Sequence, residues 1–224
     1  MTNNPATAAT SGGSQHAAFP GARPALVLLL LINLFNYIDR QVLAAVVPSI
    51  KAAFFAADGT LQGDAFGSQT LTAFLDWCQK HLGFQPENAL IGVLSTAFMV
   101  TYMIGAPLFG KLAERYSRWA LVGVGVILWS LASGASGLAA GFGLLLLTRC
   151  FVGVGEAAYG PVAPALIADF YPVQKRGQVL AWFYMAIPVG SALGFVLGDQ
   201  IANSSISEIG AAWLGVHAAS WRWA

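Results

Sequence analysis

The sequence predicts an all-α integral membrane protein, and three observations carry that prediction. Apolar residues make up 57% of the 224 and charged residues only 9%, against about 25% charged in soluble domains. Five apolar runs are each long enough, at about 1.5 Å of helix per residue, to cross a hydrocarbon layer about 30 Å thick. The charges that fall inside those runs are gathered on particular helix faces. A net charge of +1 without any basic tract gives no reason to expect a nucleic-acid partner. The two cysteines, Cys78 and Cys150, make neither a disulfide framework nor a metal site, and no metal or other cofactor is expected.

Residues 1 to 23 are rich in Ala, Thr, Ser, Gly and Asn, with no periodicity and no basic region ahead of an apolar core. They read as a disordered tail and not as a cleaved signal. The first apolar run, Pro24 to Ile50, then serves as the first span. Further runs at Asn88 to Leu112, Arg118 to Gly137, Phe142 to Phe170 and Gln174 to Ile201 complete five spans, and a sixth starts at Trp221. Residues 24 to 224 therefore read as an incomplete bundle, part of a longer protein. Basic residues set its orientation: Arg23, Lys111, Arg115, Arg118, Lys175 and Arg176 fall on one side, against Lys51, Lys80 and Arg222 on the other. Excess arginine and lysine marks the cytoplasmic face, so the N-terminus is expected there.

Between the first two spans lies an extracytoplasmic insertion at about 51 to 87. Within it Leu71, Phe74, Leu75, Cys78 and Leu82 recur at helical spacing, which predicts a short amphipathic helix, either an interfacial lid resting on headgroups or a plain spacer.

The fourth run carries the segment RCFVGVGEAAY, Arg149 to Tyr159. Seven residues advance a helix by about 700°, so Arg149 and Glu156 share one face. A charge at mid-membrane opposes insertion by about 2.5 to 3.5 kcal/mol, and residues kept there line cavities or relays. In the first span Asn33, Asn36, Tyr37 and Arg40 fall at i, i+3, i+4 and i+7, one polar stripe, while Asp39 points about 100° from Arg40. Two acids and two arginines at membrane depth, worth on the order of 10 kcal/mol if unpaired, must pair or face water. By helical rise Arg40 lies about 4 Å outward of the midplane, Glu156 about 2 Å inward and Arg149 about 9 Å outward. Depth leaves two pairings open, Arg40 with Glu156 and Asp39 with Arg149. Glu156 is the expected proton site, because a conformational change that moves Arg40 toward it or away from it releases or binds a proton; Asp39 is the second candidate.

The connection after the second span reads GKLAERYSRW, Gly110 to Trp119. It resembles a loop of the major facilitator superfamily, G-x-L-A-D-R-x-G-R-K, matched by Gly110, Leu112, Ala113, Arg115 and Arg118. Glu114 stands in place of the acid, Ser117 in place of glycine and Trp119 in place of a basic residue. Arg149, Gly153 and Gly155 match the family's R-x-x-x-G-x-G, and Asp169, Arg176 and Gly177 its acid followed by R-G. The resemblance implies the superfamily's N-terminal bundle, with a C-terminal half as its missing partner. It also implies a cytoplasmic gate built from these loops, which falls on Gly110, Glu114, Arg115, Arg118, Asp169 and Arg176. NYIDR, Asn36 to Arg40, and GVGEAAYGP, Gly153 to Pro161, are similar to the Spinster branch, associated with lysophospholipids and sphingosine-type lipids. That likeness runs from Leu31 to Gly198, apart from the insertion, and implies proton coupling and gating roles for Asp39, Arg40 and Glu156.

Gly190, Gly194 and Gly198 in the fifth span repeat every four residues, a row that lets two membrane helices approach closely. Tyr37, Tyr102, Tyr159, Trp182 and Tyr184 either border a pathway for an amphiphile or fill the bundle and its interfacial belt. A membrane enzyme finds no support: there is no H-E-x-x-H, no G-x-S-x-G and no histidine within a span. The expected function is secondary, proton-coupled transport of a lysolipid-like or other amphiphilic organic substrate within membrane lipid. The alternatives are transport of small organic anions, or a truncated half-bundle with no transport of its own.

Overall fold

The computed structural model describes residues 19–55, 68–83 and 86–202. The tail before residue 19, the acids Asp58 and Asp64, the start of a sixth span at Trp221, and Arg222, His16 and His217 lie outside the described residues. Eight helices follow in order: α1 Ala22–Ala45, α2 Val47–Phe54, α3 Ser68–Leu82, α4 Pro86–Arg115, α5 Arg118–Gly137, α6 Phe142–Tyr159, α7 Val162–Phe170 and α8 Val173–Ala202. Five stretches are long and apolar enough to cross a membrane, as the hydropathy predicts.

Two of the five differ from a single continuous rod. The first apolar run divides at Val46, which sits at φ −91°, ψ 3°. Pro48 follows in the first turn of α2, and its ring lacks an N–H and crowds the carbonyl four residues back, at Ala44. The fourth run divides at Gly160 and Pro161, where α6 ends and α7 begins. Pro161 and Pro164, three residues apart, each remove a donor from the helical ladder there. The second span, in contrast, runs longer than expected. Gly110 to Arg115 continues α4 to its end, leaving only Tyr116 and Ser117 as connection before α5, whose first turn is capped by the Ser117 hydroxyl accepting from the Ala120 N–H. The insertion does contain a helix, α3, closed by Gly83 at φ +68° with its N–H on the Gln79 carbonyl.

The helices pack in two groups. α1 lies along α8, while α6 is held between α4 and α5, and α7 touches both groups. α6 is the central element: 61% of its span is buried, against 17 to 28% for the other four. Small residues permit that position. A methyl on Gly155 would stand 2.6 Å from the Trp129 amide nitrogen of α5, so only glycine allows this crossing. On the other side, a methyl on Gly153 would meet Phe98 and Thr101 of α4. The glycine row of α8 works in the same way against α1: methyls at Gly190, Gly194 and Gly198 would collide with Leu34, Ile38 and Val42 in turn.

Side-chain ties act within and between the groups. The Asn33 amide donates to the Phe183 carbonyl at 3.1 Å inside the α1–α8 pair, whereas the Tyr159 hydroxyl of α6 reaches across to the Leu29 carbonyl of α1, and the Tyr171 hydroxyl after α7 donates to the Ala22 carbonyl at 3.1 Å. Backbone contact between α1 and α6 is sparse, and the space between them is bridged by polar side chains. The candidate site lies there.

Candidate functional site

α1 turns Arg40 toward the last turn of α6, near the middle of the span that α6 and α7 make together. Its Nε donates to Glu156 Oε2 at 2.7 Å and its Nη2 donates to the same oxygen. Glu156 is 2% exposed. The guanidinium is also ringed by aromatic faces, 5.2 Å from the Tyr37 centroid, 4.8 Å from Phe98 and 5.5 Å from Tyr102. Each ring presents its negative face to the cation. The pairing of Arg40 with Glu156 is therefore the one this conformation adopts.

Asp39 and Arg149 do not pair directly. Asp39 Oδ1 accepts from the Ser133 hydroxyl of α5, and Arg149 Nη2 donates to the Ser136 hydroxyl at 2.9 Å. Ser136 in turn donates to the Ser133 carbonyl at 2.6 Å. All four charged residues foreseen from the sequence thus converge on the space around the middle of α1 and α6, as does the polar stripe of α1. Asn33 and Asn36 are buried, and Tyr37 stacks on Arg40.

The Arg40–Glu156 pair stands between two cavities. One, of about 190 Å³, is lined by Asp39, Arg40, Ser95, Phe98, Arg149 and Glu156 among others. The second, of about 160 Å³, is bordered by Asn33, Asn36, Tyr37, Tyr102, Tyr184 and again Arg40 and Glu156. Four buried polar atoms on these residues make no hydrogen bond of ordinary geometry within the described residues: Asp39 Oδ2, Arg149 Nε, and Asn36 Nδ2 and Glu156 Oε1, the last two on side chains near enough to attract each other. Unsatisfied buried groups of this kind are rare in folded proteins, and their concentration around one pair of cavities marks a place made for a ligand, ion or water. Among the described residues no cluster of histidine, cysteine or acid suits a metal ion.

At the opposite end of the bundle the expected gate is only partly assembled. Arg118 Nη1 pairs with Asp169 Oδ2, joining the start of α5 to the last turn of α7. Arg176 instead gives its Nε to the Tyr171 carbonyl at 2.9 Å, so it braces its own loop and does not reach an acid. Glu114 and Arg115 are exposed on the last turn of α4, and neither makes an ion pair among the described residues. Both stand on the helical extension of α4 beyond the expected end of the span. Gly110, with open space where a side chain would stand, has no packing need for glycine here.

Sequence reasoning missed Ser133 and Ser136. Ser130, Ser133 and Ser136 recur every third residue in an otherwise apolar span, and that spacing is the signal that could have found them. Phe98 was missed as well, because nothing in a sequence marks which phenylalanine faces a cation.

The sequence model of the Major Facilitator Superfamily matches residues 29–224. Human protein spinster homolog 1 is 38% identical over 188 residues, covering 82% of this chain and 30% of its own length. Protein spinster of Drosophila melanogaster is 33% identical over 199 residues, covering 89% of this chain and 26% of its own. A crystal structure of a bacterial homolog to the human lysosomal transporter Spinster, inward-facing and unoccupied, superposes with a TM-score of 0.70 at 26% identity, covering 92% of this chain and 40% of that one. The chain thus spans under a third of the length of these curated relatives.

Proposed function

The chain belongs to the major facilitator superfamily, and from that premise we propose that it is the N-terminal bundle of a proton-coupled secondary transporter that moves a lysolipid-like or other amphiphilic organic substrate by alternating access. One observation carries the reading: an ion pair between the buried Glu156 and the partly exposed Arg40 stands between two cavities and is flanked by unpartnered polar atoms. Buried polar groups are ordinarily hydrogen-bonded, so free polar atoms gathered beside the pair support a site that takes up a proton, water or substrate over a plain helix clamp.

In this reading Glu156 is the proton site, and Arg40 is the group whose approach or withdrawal releases or binds the proton. Asp39 and Arg149 form a second charge centre beside it. Asn33, Asn36 and Tyr37 border the polar end of the substrate cavity. Arg118 and Asp169 close the cytoplasmic side, and Gly110, Glu114, Arg115 and Arg176 join the gate only after the helix ends move. Secondary transporters bind at the interface between homologous halves and rock about it, so the partner implied is a C-terminal half. The excess of basic residues on one side supports a cytoplasmic N-terminus, and the similarity to Spinster homologues, one of them described as a lysosomal transporter, supports transport of a small organic substrate.

The experiment is uptake into vesicles under an imposed proton gradient. Glu156→Gln is expected to remain folded and to exchange substrate down its own gradient while losing acceleration by protons. Undiminished gradient-driven uptake in that variant would remove Glu156 from the coupling role.

A further inference from the structure

The two hydroxyls of α5 stand where two opposite charges would otherwise meet. Ser133 holds one oxygen of Asp39 and Ser136 holds one nitrogen of Arg149. The remaining Asp39 Oδ2 and Arg149 Nε are buried without partners, and both residues line the cavity of about 190 Å³. Ser136 is itself fixed, since its hydroxyl hydrogen goes to the Ser133 carbonyl and leaves only its lone pairs to face Arg149. An acid and a buried arginine that line one cavity are suited to direct bidentate contact. The structure keeps them divided.

We infer that Ser133 and Ser136 are positioning residues that hold Asp39 and Arg149 as a divided charge pair, each anchored to its own hydroxyl and each keeping one polar face toward the cavity. The inference deepens the proton-coupling reading, because it explains how a second acid takes part. A proton entering from the cavity onto Asp39 Oδ2 cancels the charge nearest Arg149. The other acid lining this cavity with Arg149 is Glu156, and Glu156 Oε1 is the one oxygen of that carboxylate that Arg40 does not occupy. Arg149 then competes with Arg40 for Glu156, and protonation at Asp39 is felt at the partition between the cavities. The groups facing this centre are Arg40 from α1, Arg149 and Glu156 from α6, and the two serines from α5; α4 contributes Ser95, Phe98 and Met99, none of which titrates. Tyr37 and Tyr102 border Arg40 on its far side.

The test needs no transport, so its failure is distinct from failure of the uptake experiment. The protonated-carboxyl stretch of Asp39 is followed by infrared difference spectroscopy of the purified protein in lipid nanodiscs, from about pH 3 to pH 9, the range that carboxyls in proteins reach. Asp39→Asn identifies the band by removing it. Ser136→Ala is expected to move the Asp39 midpoint by about one pH unit or more, because Arg149 is no longer held off. Ser136→Thr, which retains the hydroxyl, is expected to restore it. Should Ser136→Ala fail to fold, Ser136→Cys takes its place, being of similar size with a poor acceptor. A midpoint unchanged in the folded Ser136 variant, or no band attributable to Asp39 anywhere in that range, overturns the inference.

Discussion

At the scale of single residues the site depends on how Arg40 is satisfied. Its guanidinium meets one carboxylate oxygen of Glu156 and three aromatic faces, and Glu156 has no other cation bonded to it. Removing one partner of a buried pair leaves the other charged and stranded, a loss of about 3 to 5 kcal/mol. Arg40→Ala is therefore expected to lower thermal stability in detergent by about that much, and Glu156→Gln added to it is expected to recover most of the loss. Equal stability of the single and double variants would show that Glu156 finds another partner at once. Arg40→Lys retains the charge but gives up the flat cation that stacks on rings, so it is expected to fold and to work poorly.

At the scale of elements the decisive contacts are between backbones. The Gly190, Gly194 and Gly198 row lets α8 lie against α1 and so fixes the height at which α1 presents Asn33 to Arg40. Gly194→Leu is expected to force the two helices apart and to destabilise the bundle by about 1 to 3 kcal/mol, the usual penalty of overpacking. Gly123 on α5 is the control. Nothing lies within 4 Å of where its side chain would stand, and Gly123→Ala is expected to be neutral or to add up to about 1 kcal/mol from helix propensity. Unfolding of both variants followed by circular dichroism separates the two cases. The break at Gly160 and Pro161 belongs to the same scale, since beyond it α7 touches α1, α5 and α8.

For the whole molecule, the question is which face opens. Arg118 and Asp169 join α5 to α7 at the surface, with side chains 34% and 56% exposed. A pair so wetted contributes roughly 0 to 1 kcal/mol to stability, yet a difference of that size between two conformations of similar energy shifts their populations severalfold. Asp169→Asn is thus expected to leave the unfolding temperature nearly unchanged while raising the labelling rate of cysteines introduced in the 160 Å³ cavity. Unaltered labelling would deny the pair a gating role.

Spacing and hydropathy alone determined that the chain is a helical membrane protein with five spans, and that Asn33, Asn36, Tyr37 and Arg40 share a face of α1. They also fixed that Arg149 and Glu156 share a face of α6. These are properties of one helix at a time, set by a rise and a rotation per residue. They could not choose between Arg40 with Glu156 and Asp39 with Arg149, because that choice depends on how far α1 is turned and raised against α6. Only the packed bundle settled it, through glycine contacts that set the heights and through Ser133 and Ser136 reaching in from α5. The residues expected at the cytoplasmic gate show the same dependence: Arg115 and Arg176 match the family motif and Glu114 replaces its acid, but their partners follow from where α4 stops and how the chain turns after α7. Interactions between helices depend on distances that no single helix encodes.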